Sequence, residues 1–138
     1  MSETNEILVI ARDWVQKAEN DLKNATYTLG MGEDCPTDTV CFHAQQCVEK
    51  YLKAFLVLKR IDFPKTHDIK ELIALLPSKF RPQLTPVEQR RLTDYATATR
   101  YPGDYEPILL AETRRAVKIA RRVRNEMRKL LPKEMIRK

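Results

Sequence analysis

Apolar residues recur at spacings of three and four along most of the chain, the repeat that gathers them on one face of an α-helix. In the first such stretch Ile7, Ala11, Trp14, Ala18, Leu22, Ala25 and Leu29 share a face, predicting a helix over about residues 5–29. Gly30 and Gly32 end it, because glycine accepts the left-handed conformation that follows many helices. A second helix starts at Pro36-Thr37-Asp38 and runs to about Arg60, with Val40, Ala44, Cys47, Tyr51, Ala54, Phe55 and Leu58 as its apolar stripe. Pro64 closes that segment. Ile69, Leu72, Ile73 and Leu76 then predict a short third helix over 68–76, with Thr66 or His67 ahead of it.

Thr85-Pro86-Val87-Glu88 combines a capping hydroxyl, a first-turn proline and a glutamate three residues after the cap. Together they satisfy or spare the unpaired amides of a helix start. A fourth helix therefore begins there and continues to about Thr99. Tyr101-Pro102-Gly103-Asp104 suits a type II turn. Leu109, Thr113, Ala116, Ala120, Val123, Met127 and Leu130 predict a last helix over about 107–131. No stretch alternates as a strand would. The expected fold is all-α: an antiparallel up-down bundle of about five helices, one domain over 1–138 with its core at about 7–131.

Charge adds an asymmetry to this picture. The chain of 138 residues carries a net charge of +6. From Pro107 onward eleven Lys/Arg face three Asp/Glu, a net of +8, so the remainder is slightly acidic. Such a basic face on the last helix is ordinarily solvated, and its charge also suits an acidic partner, nucleic acid or protein. No apolar run reaches the length of about 20 residues that spans a bilayer. Cys35, Cys41 and Cys47 form no C-x-x-C pair, and with only two histidines no zinc spacing results. No metal, cofactor or membrane is expected, and free thiols without a signal peptide suit the cytoplasm.

Four blocks carry a likeness to a known family. Residues 14–22 (WVQKAENDL), 42–54 (FHAQQCVEKYLKA), 66–69 (THDI) and 99–102 (TRYP) occur in an order and spacing that resemble a stand-alone HEPN domain. The likeness covers about residues 7–131. It implies a helical bundle that usually forms a homodimer and often acts beside a minimal nucleotidyltransferase, as toxin and antitoxin. Several members resembling it are metal-independent ribonucleases with an Arg-x(4–6)-His motif. Others lack the motif and bind nucleotides or partner proteins.

Arg60 and His67 match that motif formally, the arginine for phosphate and the histidine for proton transfer near neutral pH. Two departures stand beside the match. Ile69 occupies a place where many ribonuclease members carry tyrosine, and Pro64 makes the pair span a loop. Alternatively His67 caps the third helix, and Arg60 is a solvated charge at a helix C-terminus. On the second helix His43, Gln46, Lys50 and Lys53 form a polar row that could hold nucleotide phosphate or a partner. Read blandly, Gln45–Glu49 and Glu49–Lys53 are ordinary i,i+4 surface contacts. Arg100, Tyr101 and Asp104 offer a guanidinium for phosphate, a phenol for a base and a carboxylate on one stiff turn; alternatively the turn only fixes the angle between helices, with Arg100 paired to Asp104.

Three functions are consistent with these residues. The leading one is a nucleotide- or partner-binding regulatory protein paired with a nucleotidyltransferase. The second is a metal-independent endoribonuclease toxin using Arg60 and His67. The third is an adaptor docking through its basic last helix.

Overall fold

The computed structural model describes residues 3–96 and 107–136, and these form helices and turns with no strand among them. Helix α1 spans Glu3–Leu29 and α2 spans Thr37–Leu58, joined by a single 3₁₀ turn at Gly32–Asp34. Short α3 (Ile69–Leu75) and α4 (Pro86–Ala96) follow. Helix α5 covers Leu110–Arg128 and α6 covers Lys133–Ile136.

Side-chain pairs fix the helix directions. Glu3 meets Arg60 and Asp21 meets His43, so α1 and α2 run antiparallel. Thr26 meets Arg121 and Glu19 meets Arg124, so α5 is also antiparallel to α1. Cys41 meets Thr113 and Tyr51 meets Arg128, so α5 runs alongside α2 in the same direction. Helices α3 and α4 bring the chain back between those two parallel passes.

Helix α2 sits at the centre, packed by α1, α3, α4 and α5. Tyr51, Leu52, Phe55 and Leu56 are fully buried in it. Its polar side chains Gln45, Gln46, Glu49 and Lys53 are buried too, at 0–7% exposure. Burial without partners would be costly, and among the described residues no buried side-chain nitrogen or oxygen lacks a partner.

Several starts and stops follow the sequence. Thr85 and Glu88 form the reciprocal capping box, at 3.1 and 2.9 Å. Other ends differ from the expectation. Asp68, rather than His67 or Thr66, caps α3 by accepting from the Glu71 amide at 3.3 Å. The last helix begins at Leu110 and stops at Arg128, where Leu130 and Leu131 close tighter turns onto Met127 and Arg128. Pro132 has no amide to continue a helix. The chain restarts as α6, which inserts Met135 into the core and packs on α1. The fourth helix is described only to Ala96, so its predicted end near Thr99 lies outside the described residues.

Helix α2 ends in a Schellman motif. The Arg60 amide donates to Val57 and the Ile61 amide to Leu56, at 3.0 and 2.9 Å. Arg60 holds the left-handed position with φ 59°, where glycine is usual.

Candidate functional site

The polar row of α2 is gathered on two carboxylates. Asp21 of α1 contacts His43 Nδ1 through one oxygen and Lys50 Nζ through the other, both at 2.7 Å. Glu49 of α2 forms the second centre. Its Oε2 accepts from Lys53 Nζ at 3.0 Å, and its Oε1 accepts from Gln45 and Gln46 at 3.0 and 3.3 Å. His67 Nδ1 meets the same Oε1 at 2.8 Å. Both histidines of the chain are thus held by Nδ1 to a carboxylate that also binds a lysine.

Local structure explains how His67 is placed. Gln45 Nε2 reaches its carbonyl at 3.2 Å, tying the loop to α2. Thr66 Oγ1 accepts from the Asp68 amide, and Thr93 Oγ1 of α4 accepts from the Ile69 amide, each at 3.0 Å. The loop is pinned on both sides of the histidine. Its side chain is 61% exposed, whereas that of Glu49 is 3% exposed.

Burial pushes the Glu49 carboxyl up, but hydrogen bonds from Gln45, His67 and Lys53, with the lysine charge, hold it below its ordinary value. It is therefore an ionised acceptor. An ionised carboxylate can only accept, so His67 donates through Nδ1 and presents Nε2 outward. Lys53 adds the neutralising charge, with its ammonium 5.4 Å from the Trp14 ring centre and 5.8 Å from that of Phe63.

Arg60 is not part of this cluster. Its guanidinium lies at the start of α1, 3.4 Å from Thr4 Oγ1 and 3.6 Å from Glu3. Glu49, which carries His67, is eleven residues earlier in the chain, about 16 Å along a helix axis. Within one chain the two motif residues have separate partners. The structure instead joins His67 to Gln46 and Lys53 of the α2 row, through Glu49. His43 and Lys50 form the neighbouring Asp21 cluster. Arg100, Tyr101 and Asp104 lie outside the described residues.

Glu49 is the residue that sequence reasoning placed wrongly. Its contacts with Gln45 and Lys53 exist as spaced, but they are buried rather than on a solvated surface. Glu19 is a second unforeseen centre. It accepts Arg124 Nε and Nη2 at 2.7 and 2.9 Å, and also the Tyr51 hydroxyl. Burial raises the Glu19 carboxyl, yet Arg124 and Tyr51 bring it below its usual value.

Neither Cys41 nor Cys47 is activated. Burial pushes the Cys41 thiol up to about 11 and Cys47 higher still. Among the described residues no three His, Cys, Asp or Glu side chains are grouped as metal ligands, and no helix is long and apolar enough to cross a membrane.

Comparison with known proteins agrees with this architecture. A family model described as HEPN domain matches residues 11–130. The crystal structure of TT1696 from Thermus thermophilus is 30% identical, with a TM-score of 0.71 over 88% of this chain and 98% of that one. ST0689, an archaeal HEPN homologue, is 25% identical, with a TM-score of 0.68 over 87% of this chain and 96% of its own. No curated protein matches the chain.

Proposed function

The chain belongs to the HEPN family, and we propose that it is a nucleotide- and partner-binding regulatory member whose ligand contact is His67 carried on Glu49. The supporting observation is the contrast within that pair. An imidazole 61% exposed is anchored by one nitrogen to a carboxylate 3% exposed, leaving the other nitrogen for a ligand. In the imidazolium form Nε2–H donates to phosphate, and anchoring lowers the entropy lost when it does, which is how preorganised groups gain affinity.

Lys53 and Gln46 support the site from beneath, because their polar groups are already engaged with Glu49. His43 and Lys50 on Asp21 extend it along α2. Arg100, Tyr101 and Asp104 enter the proposal on residue chemistry alone, as phosphate, base and hydroxyl contacts on the connection after α4. The homodimer and a nucleotidyltransferase-like partner forming a toxin–antitoxin pair rest on the family resemblance, and the cytoplasmic setting rests on the three free thiols.

A metal-independent endoribonuclease is the second reading. One observation favours it: a histidine oriented by a buried carboxylate is the posture of a proton-transfer group. Nε2 of His67 would take the 2′-hydroxyl proton of RNA while Arg60 steadies the phosphate. Those two groups have separate partners in a single chain, so the binding reading is preferred.

Mixed cellular RNA incubated with the purified protein in chelator distinguishes the two. The binding reading expects intact RNA with wild type, together with binding of ribonucleoside triphosphates that His67→Ala loses. RNA cleavage that disappears in both His67→Ala and Glu49→Gln would replace it with the ribonuclease.

A further inference from the structure

On the other side of α2 lies a site that none of these residues uses. Glu49 and Tyr51 are two positions apart, hence about 200° around the helix, and project to opposite sides. Tyr51 leads to Glu19 and to the seam between α1 and α5. An open groove of about 510 Å³ runs along that seam, with Leu22, Lys23, Thr26 and Tyr27 on one wall and Arg121 and Arg124 on the other.

We propose that this groove seats single-stranded RNA, with Tyr27 stacking on a base and Arg121 and Lys23 holding phosphates. It stands independently of the His67 reading. Tyr27 is 79% exposed, so its ring face is available at the groove's edge. Aromatic faces beside a cationic groove are how proteins hold unpaired strands without reading their sequence.

The charges in the groove favour an anion. Arg121 hydrogen-bonds the neutral Thr26 hydroxyl at 2.8 Å, which leaves its charge uncompensated. Lys23 is exposed and makes no salt bridge among the described residues. The one carboxylate lining the groove, Glu19, is gripped by Arg124 at 2.7 and 2.9 Å and so repels phosphate little. Asn125 accepts from Arg124 through Oδ1 at 3.1 Å, and its amide donors remain for a ligand. Arg114 and Lys118, each seven residues before a groove residue of α5, continue the positive charge along the same face. An acidic protein would use the cations and leave the ring unexplained, whereas a strand uses both.

The test is fluorescence anisotropy with a labelled ten-nucleotide 2′-O-methyl oligouridylate, which cannot be cut through a 2′-hydroxyl. Wild type binds, and Tyr27→Ala weakens binding by about fivefold or more while Tyr27→Phe keeps it. The double variant Lys23→Ala/Arg121→Ala weakens binding and flattens the slope of log affinity against log salt by about 1.4, at about 0.7 per phosphate contact. His67→Ala binds as wild type. Absence of binding, or Tyr27→Ala and the double variant binding as wild type, overturns the proposal. So does loss of binding in His67→Ala alone, which would place RNA at the other site. Polyglutamate bound as tightly as the RNA and equally sensitive to Tyr27→Ala would assign the groove to acidic protein instead.

Discussion

Glu49 accepts the Nδ1 hydrogen of His67 on Oε1 and Lys53 on Oε2, at 2.8 and 3.0 Å, from a side chain packed inside the bundle. Removing the carboxylate strands a lysine whose side chain is 7% exposed. Glu49→Ala should therefore destabilise the protein by about 3–5 kcal/mol, the cost typical of leaving one buried charge unpaired. Denaturant unfolding measures this. Glu49→Ala/Lys53→Met should recover much of the loss, whereas an independent pair of effects would simply add.

Acid should weaken the fold through two carboxylates. Glu49 and Glu19 both lie below their ordinary value of 4.5 in the folded state. A carboxyl with a depressed folded pKa adds stability that is full above its unfolded value and is lost as pH falls through the folded one. Stability should thus be level through neutral pH and decline below about pH 4.5. Thermal melts across a range from acid to neutral pH test this, and Glu49→Gln should show a shallower decline.

Arg60 pays a conformational cost at the end of α2. A side chain with φ 59° is held where a Cβ crowds the following carbonyl. Arg60→Gly should raise stability by about 1 kcal/mol, because the exposed contact with Glu3 contributes little against that relief. A fall in stability would mean that the arginine's contacts outweigh the backbone cost. The same variant also separates the two functional readings, since nucleotide binding at His67 should survive it and ribonuclease activity should not.

The start of α4 rests on Thr85 and Glu88 bonding each other's amides. Thr85→Ala removes one of the two and should cost about 1 kcal/mol. Urea denaturation gives the value. An unchanged midpoint would show that tertiary packing alone sets this helix start.

The thiols of Cys41 and Cys47 should be silent in the native protein. With Cys41 raised to about 11 and Cys47 higher, thiolate is scarce near neutral pH. Thiol reagent should label these two only as fast as the protein opens, and all three cysteines at once in denaturant. Rapid native labelling of Cys41 or Cys47 would contradict their packing.

The helical face of α1 and the capping box at Thr85 were legible because each depends on neighbours in sequence. Helix α6 was not, since four residues give no periodicity and its formation depends on Met135 reaching the core. The left-handed position of Arg60 left no glycine to mark it. For Glu49 the spacing to Gln45 and Lys53 was visible, but spacing alone does not distinguish a solvated row from a walled one. A signal existed nonetheless. Val40, Cys41, Ala44, Cys47, Val48, Tyr51, Leu52, Phe55 and Leu56 wrap more than one face of α2, the pattern of a helix surrounded by others. Polar residues on such a helix are buried, and each then needs a partner. Asp21 and Glu19 lie far from their partners in sequence, so only the antiparallel α1–α2 pairing and the α1–α5 seam reveal them.

The central claim is that His67, held by Glu49, meets the ligand through Nε2. Nitrogen-15 NMR of the imidazole groups tests it most directly, because the chain has only two histidines and His67→Ala assigns them. Adding ribonucleoside triphosphates to wild type should move the Nε2 signal of His67 while its Nδ1 stays protonated. If neither histidine responds, or only His43 does, the ligand contact is not His67 and the account of this site is wrong.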